Sequence, residues 1–464
     1  MKKESSVVLG KVKRPNKDCS LQPVILADAT IQERKEKILS RMKNENLDCI
    51  VVYADIEHGT NFEYLVGFVP RFEEALLVLH QNGKAYLVLG NENLNKVRYS
   101  RIEAEAVHAP HFSLPNQPMG NTENLTSILS KTGIQECKKV GLIGWKLFTS
   151  DVEDNTYLFD IPYYIVEAIK ELTQGNEICN ACSVFIGAEG ARVTNNADEI
   201  AHYEFGASLA SDCVLDALDA VAIGVSELEL GNCLNRYGQR NPVITIAATG
   251  ERFGKAYLYP KNKLVELGDK MALTVGYKGG LSSRSAYVVN DTEDLPDGVK
   301  DYLDVVVKPY YRAICVWLEN IKCGMSGSEM YELIENVLPK AQYHWHLCPG
   351  HLVADEEWLS SPIYENSDEV LKSGMLLQTD IIPSIPGYGG VSVESTICLA
   401  DKKLRDEISD KAPELWKRIQ SRRKYICEEL NIDLSDDVLP MCSTVAYLRP
   451  YLLNHSMAMK RLHD

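Results

Sequence analysis

At 464 residues the chain is long enough for two or three domains with ample core, and its 45% hydrophobic and 25% charged residues are those of an ordinary globular protein. A formal net charge of -16 argues against nucleic acid or an anionic membrane surface as partner. No apolar run reaches bilayer length, and the opening MKKESSVVLGKVKRPNKD has only a three-residue apolar run, too short for a signal peptide, so a cytoplasmic location is expected.

Residues 1–30 read as an irregular arm. An amphipathic helix follows over 30–48, with Ile31, Ile38, Leu39 and Met42 near one face. CIVVYA (49–54) reads as a buried strand. Residues 73–90 read as a hairpin turning at Gln81-Asn82-Gly83, and KKVGLIGW (138–145) as a further strand. This alternation predicts a three-layer α/β domain over 31–168. The thirteen cysteines are odd in number and scattered. Most lie in apolar stretches such as YRAICVWL, where a thiol acts as a small hydrophobe. Cys179 and Cys182 form a lone C-x-x-C, read as two unrelated thiols because no second pair is spaced for zinc.

A long helix is predicted from near Asp198 to near Gly224. The segment GVSELELGNCL (224–234) has an echo one hundred residues later in GMSGSEMYELI (324–334). Each runs from a Gly suited to a left-handed cap, through Ser as N-cap, to Glu229 or Glu329 at the same offset. Strand-rich stretches follow at 242–289 and 376–399. The pattern is a weak duplication of two helices plus antiparallel strands.

Several segments in the right order resemble the pita-bread fold shared by creatinase, prolidase, aminopeptidase P and methionine aminopeptidase. NFEYLVGF (61–68) is similar to a signature of the creatinase and prolidase branch, NNADEIAHYEFGASLASD (195–212) to the entry helix of the catalytic domain, and LKSGMLLQTDIIPSIPGYGGVSVESTICLAD (371–401) to its closing strands. The resemblance implies an α/β (α+β) protein: the creatinase-type domain at 31–168, a pita-bread domain at 169–404, and a helical extension at 405–464. It further implies five metal ligands, which fall here on Thr274, Leu281, His351, Asp380 and Glu394. Two substrate-contacting histidines of the peptidases fall on Tyr257 and Trp358. Both aspartates of the usual dinuclear centre are therefore absent, in the hairpin GDKMALTVGYKGGLSSRSAYVV (268–289).

What survives is the trio His351, Asp380 and Glu394. It reads either as a metal-free acid/base set, the expectation with no cofactor, or as ligands for one divalent Mn, Zn, Co or Fe ion. Tyr257 is a candidate donor to a substrate oxygen, and Arg284 a candidate bidentate partner for a substrate carboxylate. His344 and His346 would share one face of a strand, and Trp358 would form an apolar rim. The resemblance also implies a homodimer, with Arg71 and Phe72 of GFVPRFEE reaching the other subunit's cleft. Two functions follow as expectations. One is a hydrolase of a C–N bond in an amidine, amide or dipeptide-like molecule, without the usual dinuclear centre. The other is an inactive relative that binds a peptide or protein.

Overall fold

A computed structural model describes residues 6–117, 119–120 and 123–462. It divides into two compact units, Leu26–Val193 and Met1–Ile25 with Thr194–Asp464. The boundary predicted at 168/169 falls instead inside a helix, Tyr163–Thr173, whose Ile165 and Ile169 pack into the core of the first unit. The arm is not wholly irregular. Its strand β1 (Val7–Lys11) pairs antiparallel with the last strand of the chain, so the arm belongs with the C-terminal unit.

The unit Leu26–Val193 is built on a six-stranded mixed sheet. Its elements are α1 (Asp28–Asn44), β2 (Cys49–Ala54), α2 (Thr60–Val66), β3 (Ala75–His80), β4 (Ala85–Leu89), β5 (Glu105–His108), α3 (Leu125–Ser130), β6 (Lys139–Ile143), α4 (Tyr163–Thr173) and β7 (Glu177–Asn180). The strand order is β5-β4-β3-β2-β6-β7. All six residues of β2 are buried, as expected of a central strand covered on both faces. It runs antiparallel to β3 and parallel to β6. The predicted hairpin is β3–β4, and Gly83 takes a φ of 88° at its turn, where a side chain would be strained. One sheet face, including Val51, Tyr53, Val78 and Leu142, packs on Ile128 and Leu129 of α3 and Ile165 and Ile169 of α4.

The second unit repeats one plan twice. The first copy has α5 (Ala197–Ala220), α6 (Glu227–Leu234), β8 (Ile246–Thr249), the short α7 (Glu251–Gly254), β9 (Lys270–Tyr277) and β10 (Gly280–Tyr287). The second has α8 (Lys308–Asn320), α9 (Gly327–Val337), the short α10 (Lys340–Tyr343), β11 (His351–Leu352), β12 (Leu376–Gln378) and β13 (Thr396–Leu399). Ser226 and Glu229 form a reciprocal capping box at α6, and Ser326 and Glu329 form the same box at α9. Gly224 N–H donates to Val265 O at 2.9 Å, and Gly324 N–H to Leu371 O at 2.8 Å. The two glycines both take a φ of 87°, in turns four residues beyond α5 and α8 rather than as helix caps.

The tail predicted as helical contributes strands as well. After α11 (Lys402–Lys411) and α12 (Pro413–Glu428), β14 (Val438–Pro440) extends the sheet to the order β11-β12-β13-β14, and β15 (Met457–Arg461) pairs with β1. The apolar run 439–454 is buried over most of its length. Among the described residues no helix is long and apolar enough to cross a membrane.

Candidate active site

The hairpin β9–β10 turns at Lys278-Gly279, and its register sets Thr274 opposite Ser283 and Leu281 opposite Gly276. The hydroxyls of Thr274 and Ser283 lie 2.7 Å apart and partner each other. Leu281 is 5% exposed, so a hydrocarbon occupies the position where the resemblance asks for a bridging carboxylate. This strand pair supplies no anionic ligand.

The surviving trio does converge. His351 opens β11 and pairs in register with Gln378 on β12, so the strand leads to Asp380 two residues on. Thr379 N–H donates to Ser395 O at 3.0 Å, which holds the Asp380 and Glu394 segments side by side. Ser283 N–H donates to Glu394 O at 3.2 Å and fixes that segment to β10. Ligand atoms of His351, Asp380 and Glu394 lie within 4.8 Å of one another, and all three residues are buried.

A fourth group, missed in the sequence, completes the cluster. His351 Nε2 lies 3.1 Å from Glu357 Oε1, 3.8 Å from Asp380 Oδ2 and 3.9 Å from Glu394 Oε1. The contact to Glu357 is at ion-pair distance but is not aligned as a hydrogen bond: Nε2, Asp380 Oδ1 and Glu394 Oε1 are all buried without a hydrogen-bond partner in the protein. The other ring nitrogen, Nδ1, lies 3.1 Å from Leu352 O and donates to it. In the neutral ring, Nε2 would then turn a lone pair toward three carboxylates. The cluster calls for a cation there, either a proton or a metal ion.

The protonation behaviour agrees. Burial opposes charge on His351, yet the Glu357 and Asp380 carboxylates outweigh it and hold the imidazole above its ordinary 6.5. Burial pushes Asp380 up to about 6, with His351 opposing and Glu357 adding. Burial also drives Glu394 well above its usual range, reinforced by Asp380 and Glu357 and opposed by Arg284. Like charges crowded into a dry site share protons rather than all ionise.

The remaining candidates fall elsewhere or do other work. Arg284 is 2% exposed and spends all five N–H groups inside the protein, on the carbonyls of Tyr447, Ser283, Glu394 and Thr444 and the Ser395 hydroxyl. It has no donor left for a substrate carboxylate. Trp358 stacks on His351 and is 37% exposed. Tyr257 follows α7 with its ring 64% exposed, and the structure gives it no hydrogen bond or ring contact to the cluster. His344 and His346 are exposed but not on a strand: His344 ends α10 with a left-handed φ of 50°, and the chain to Gly350 is irregular. Arg71 and Phe72 are exposed on the Leu26–Val193 unit, with the guanidinium 4.6 Å from the ring centroid. Cys179 and Cys182 are separate thiols in no disulfide. A cavity of about 680 Å³ between the arm residues 13–18 and α12 includes none of the cluster residues.

The sequence profile of the creatinase/prolidase N-terminal domain matches residues 34–185, and that of metallopeptidase family M24 matches residues 166–401. An uncharacterized peptidase of Bacillus subtilis is 27% identical over 222 residues, 46% of this chain and 61% of its own. The Xaa-Pro dipeptidase of Pyrococcus horikoshii is 24% identical over 250 residues, 52% of this chain and 68% of its own. The first of these relatives is thus matched over less than two thirds of its length. Among solved structures, the Xaa-Pro dipeptidase from Bacillus anthracis superimposes with a TM-score of 0.60 at 19% identity, covering 80% of this chain and 96% of that one.

Proposed function

The chain belongs to metallopeptidase family M24, behind a creatinase/prolidase N-terminal domain, and we propose that it hydrolyses a C–N bond in a short peptide or dipeptide-like molecule using a cluster that holds one divalent cation instead of two. The observation that carries this reading is the gathering of His351, Asp380 and Glu394, whose ligand atoms lie within 4.8 Å of one another and whose Nε2, Oδ1 and Oε1 are buried without hydrogen-bond partners. Three such donors fit a single ion of the Mn, Zn, Co or Fe type. They do not fit a pair, because Thr274 and Leu281 offer no carboxylate.

A divalent ion held there supplies Lewis-acid activation of water or of a carbonyl. The chain's own part is to orient and to manage protons. Leu352 O fixes the His351 tautomer so that Nε2 faces the cluster. Glu357, the one carboxylate of the cluster outside the ligand trio, is placed to hold a proton delivered from the reacting water. The Thr274–Ser283 hydroxyl pair lines β9 and β10 where the lost carboxylates would crowd a substrate. Trp358 keeps bulk water from His351. Tyr257, His344 and His346, all exposed, are proposed to contact substrate rather than to act on the reacting atoms.

A second reading has its own observation. Leu281 and the self-satisfied Thr274–Ser283 pair suit a cleft that binds a peptide without cutting it. Elemental analysis separates the two when combined with a screen of Xaa-Pro dipeptides, amides and amidines, with and without chelator. One equivalent of metal that depends on this cluster, lost in both His351→Ala and Glu394→Ala together with turnover, supports the hydrolase, whatever metal the chain holds elsewhere. Two equivalents lost together in those variants, or no such equivalent and no turnover, overturn it. We further propose a homodimer in which Arg71 and Phe72 face the other subunit. A monomer by light scattering at micromolar concentration removes that assignment.

A further inference from the structure

The N-terminal unit carries a second cluster of metal-ligating groups, remote in sequence from the catalytic candidates. Cys49 is the first residue of β2, and His80, the last residue of β3, is its direct partner in the antiparallel register. Cys49 also pairs with Val140 of β6, which places Cys137, just before that strand, at the same end of the sheet. Three neighbouring strands therefore bring two thiols and an imidazole together, with ligand atoms of all three within 4.8 Å. The cysteines are in no disulfide.

The imidazole is already oriented as a ligand. His80 Nε2 lies 2.7 Å from Thr132 O and donates to that carbonyl. Its Nδ1 then carries the lone pair and faces Cys137 Sγ at 3.7 Å. A ring nitrogen tethered to a backbone carbonyl, with the other nitrogen turned to sulfur, is the usual outer support of a metal-bound histidine. Tetrahedral zinc with typical Zn–S and Zn–N bonds sets those two atoms about 3.6 Å apart, so the observed spacing needs no rearrangement. The ring also packs edge-on to Tyr86, 6.0 Å between centroids.

We propose that Cys49, His80 and Cys137 form a zinc site that clips β2, β3 and the entry to β6 together. Two thiolates, one neutral imidazole and Zn²⁺ sum to zero charge, which suits a site where Cys49 is fully buried and Cys137 is 5% exposed. The half-buried His80 marks the side from which the ion enters, and water completes the fourth position. Contact with Cys49 and with His80 lowers the Cys137 thiol to about 6 against the opposing effect of burial, so the sulfur that faces Nδ1 gives up its proton readily to a metal ion. The Cys49 thiol is held well above its usual range, first by its contact with Cys137 and then by burial. The pair thus shares a proton, and binding Zn²⁺ expels the protons that remain on the two sulfurs, with no change of oxidation state.

The test uses the full chain, reduced and stripped of metal, titrated with Co²⁺ and with Zn²⁺. A His351→Ala background keeps the catalytic candidate out of the count, so that failure here and failure of the proposed hydrolase are separate results. The expected outcome is one equivalent of Co²⁺ with a sulfur-to-cobalt charge-transfer band, displaced by Zn²⁺ and lost in Cys137→Ser and in His80→Gln. The half-buried His80 is the gentler change, and far-UV circular dichroism verifies that each variant is folded. Cobalt bound without the sulfur band, no binding to reduced protein, or a band that persists in both folded variants overturns the site. So does a Cys49–Cys137 disulfide found in non-reduced peptide maps of protein isolated with metal present.

Discussion

The indole of Trp358 lies flat on the imidazole of His351, with ring centroids 4.1 Å apart and planes 21° from parallel. His351 is fully buried under it while Trp358 itself stays 37% exposed. The residue before Trp358 is Glu357, which faces His351 Nε2. One short turn of chain therefore provides both a cover and a counter-charge for the same ring. A protonated imidazole held against an indole face gains a cation–π contribution on the order of 1 kcal/mol.

That stack gives a direct optical readout. An imidazolium in contact with an excited indole quenches it, and the carboxylates hold His351 above 6.5. In chelator, the emission of Trp358, taken as the difference between the wild-type chain and Trp358→Phe, should rise with pH through a midpoint above 6.5. The same midpoint should vanish in His351→Gln. A Trp358 component that does not change across neutral pH contradicts the geometry.

Asp380 sets a stability test with a defined sign. Its carboxyl is pushed up to about 6, first by burial, so it binds a proton more tightly folded than unfolded. Its contribution to stability is complete below about pH 4 and is lost as pH rises through about 6, a swing on the order of 3 kcal/mol. Glu394, raised in the same direction, and His351, also raised, lose stability with rising pH as well. Metal-free Asp380→Asn should therefore be more stable than the metal-free wild-type chain near pH 7, and the gap should close near pH 4. Urea midpoints in chelator at the two pH values check this. A variant that is less stable at pH 7 refutes the crowding of carboxylates.

The parts of this molecule legible in the sequence are those that local chemistry writes. β2 showed as an unbroken apolar run, the β3–β4 hairpin as Asn82-Gly83 between alternating strands, and the duplication as two Ser/Glu capping boxes one hundred residues apart. His351, Asp380 and Glu394 were legible through motif resemblance, and they do converge. Glu357 was not, because it reaches His351 only when the chain turns back after β11, where Leu352 bridges Ser360. Arg284 was misread for a similar reason. Most of its partners are carbonyls, two of them in the tail at Thr444 and Tyr447, and no side-chain pattern announces a carbonyl. The strand expected for His344 and His346 fails because alternation without a pairing edge is not a strand. The Cys49–His80–Cys137 cluster depends on sheet register across three strands, and no short spacing records it.

Arg284 should behave as a structural residue. Removing its guanidinium strands the carbonyls it satisfies in a dry interior, at roughly 1–3 kcal/mol for each one left unpaired. Arg284→Met should lower the unfolding free energy by about 3 kcal/mol or more by urea denaturation. Arg284→Lys should rescue little of it, since an ammonium cannot reproduce five planar donors. A variant of unchanged stability whose defect is confined to KM for a carboxylate-bearing substrate would restore the substrate-orienting role.

Glu204 makes the sharpest stability prediction, because it ties three parts of the sequence together from the middle of α5. Its carboxylate, 1% exposed, accepts from Arg418 Nη2 at 2.7 Å and from Arg422 Nη2 at 2.5 Å. Arg422, 2% exposed, also donates to Asp18 of the arm at 2.7 Å and 2.9 Å. Burial opposes ionisation of Glu204, but the two arginines overcome it and hold its carboxyl below the usual range. Its contribution is therefore present above about pH 4.5 and is lost as pH falls through the lowered folded value. Glu204→Ala leaves the buried Arg422 guanidinium with the Asp18 carboxylate and the Pro440 carbonyl and should cost about 3–5 kcal/mol near neutral pH. Asp18→Ala removes the more exposed partner and should cost less. Because Asp18 anchors the arm to α12, proteolysis within 12–25 should accelerate in both variants. If Glu204→Ala unfolds at the wild-type urea midpoint and its arm resists protease, the arm is held by its other contacts, among them the β1–β15 pairing and the Asp212 carboxylate that accepts from Asp18 N–H and Cys19 N–H, and this network is not what fastens it.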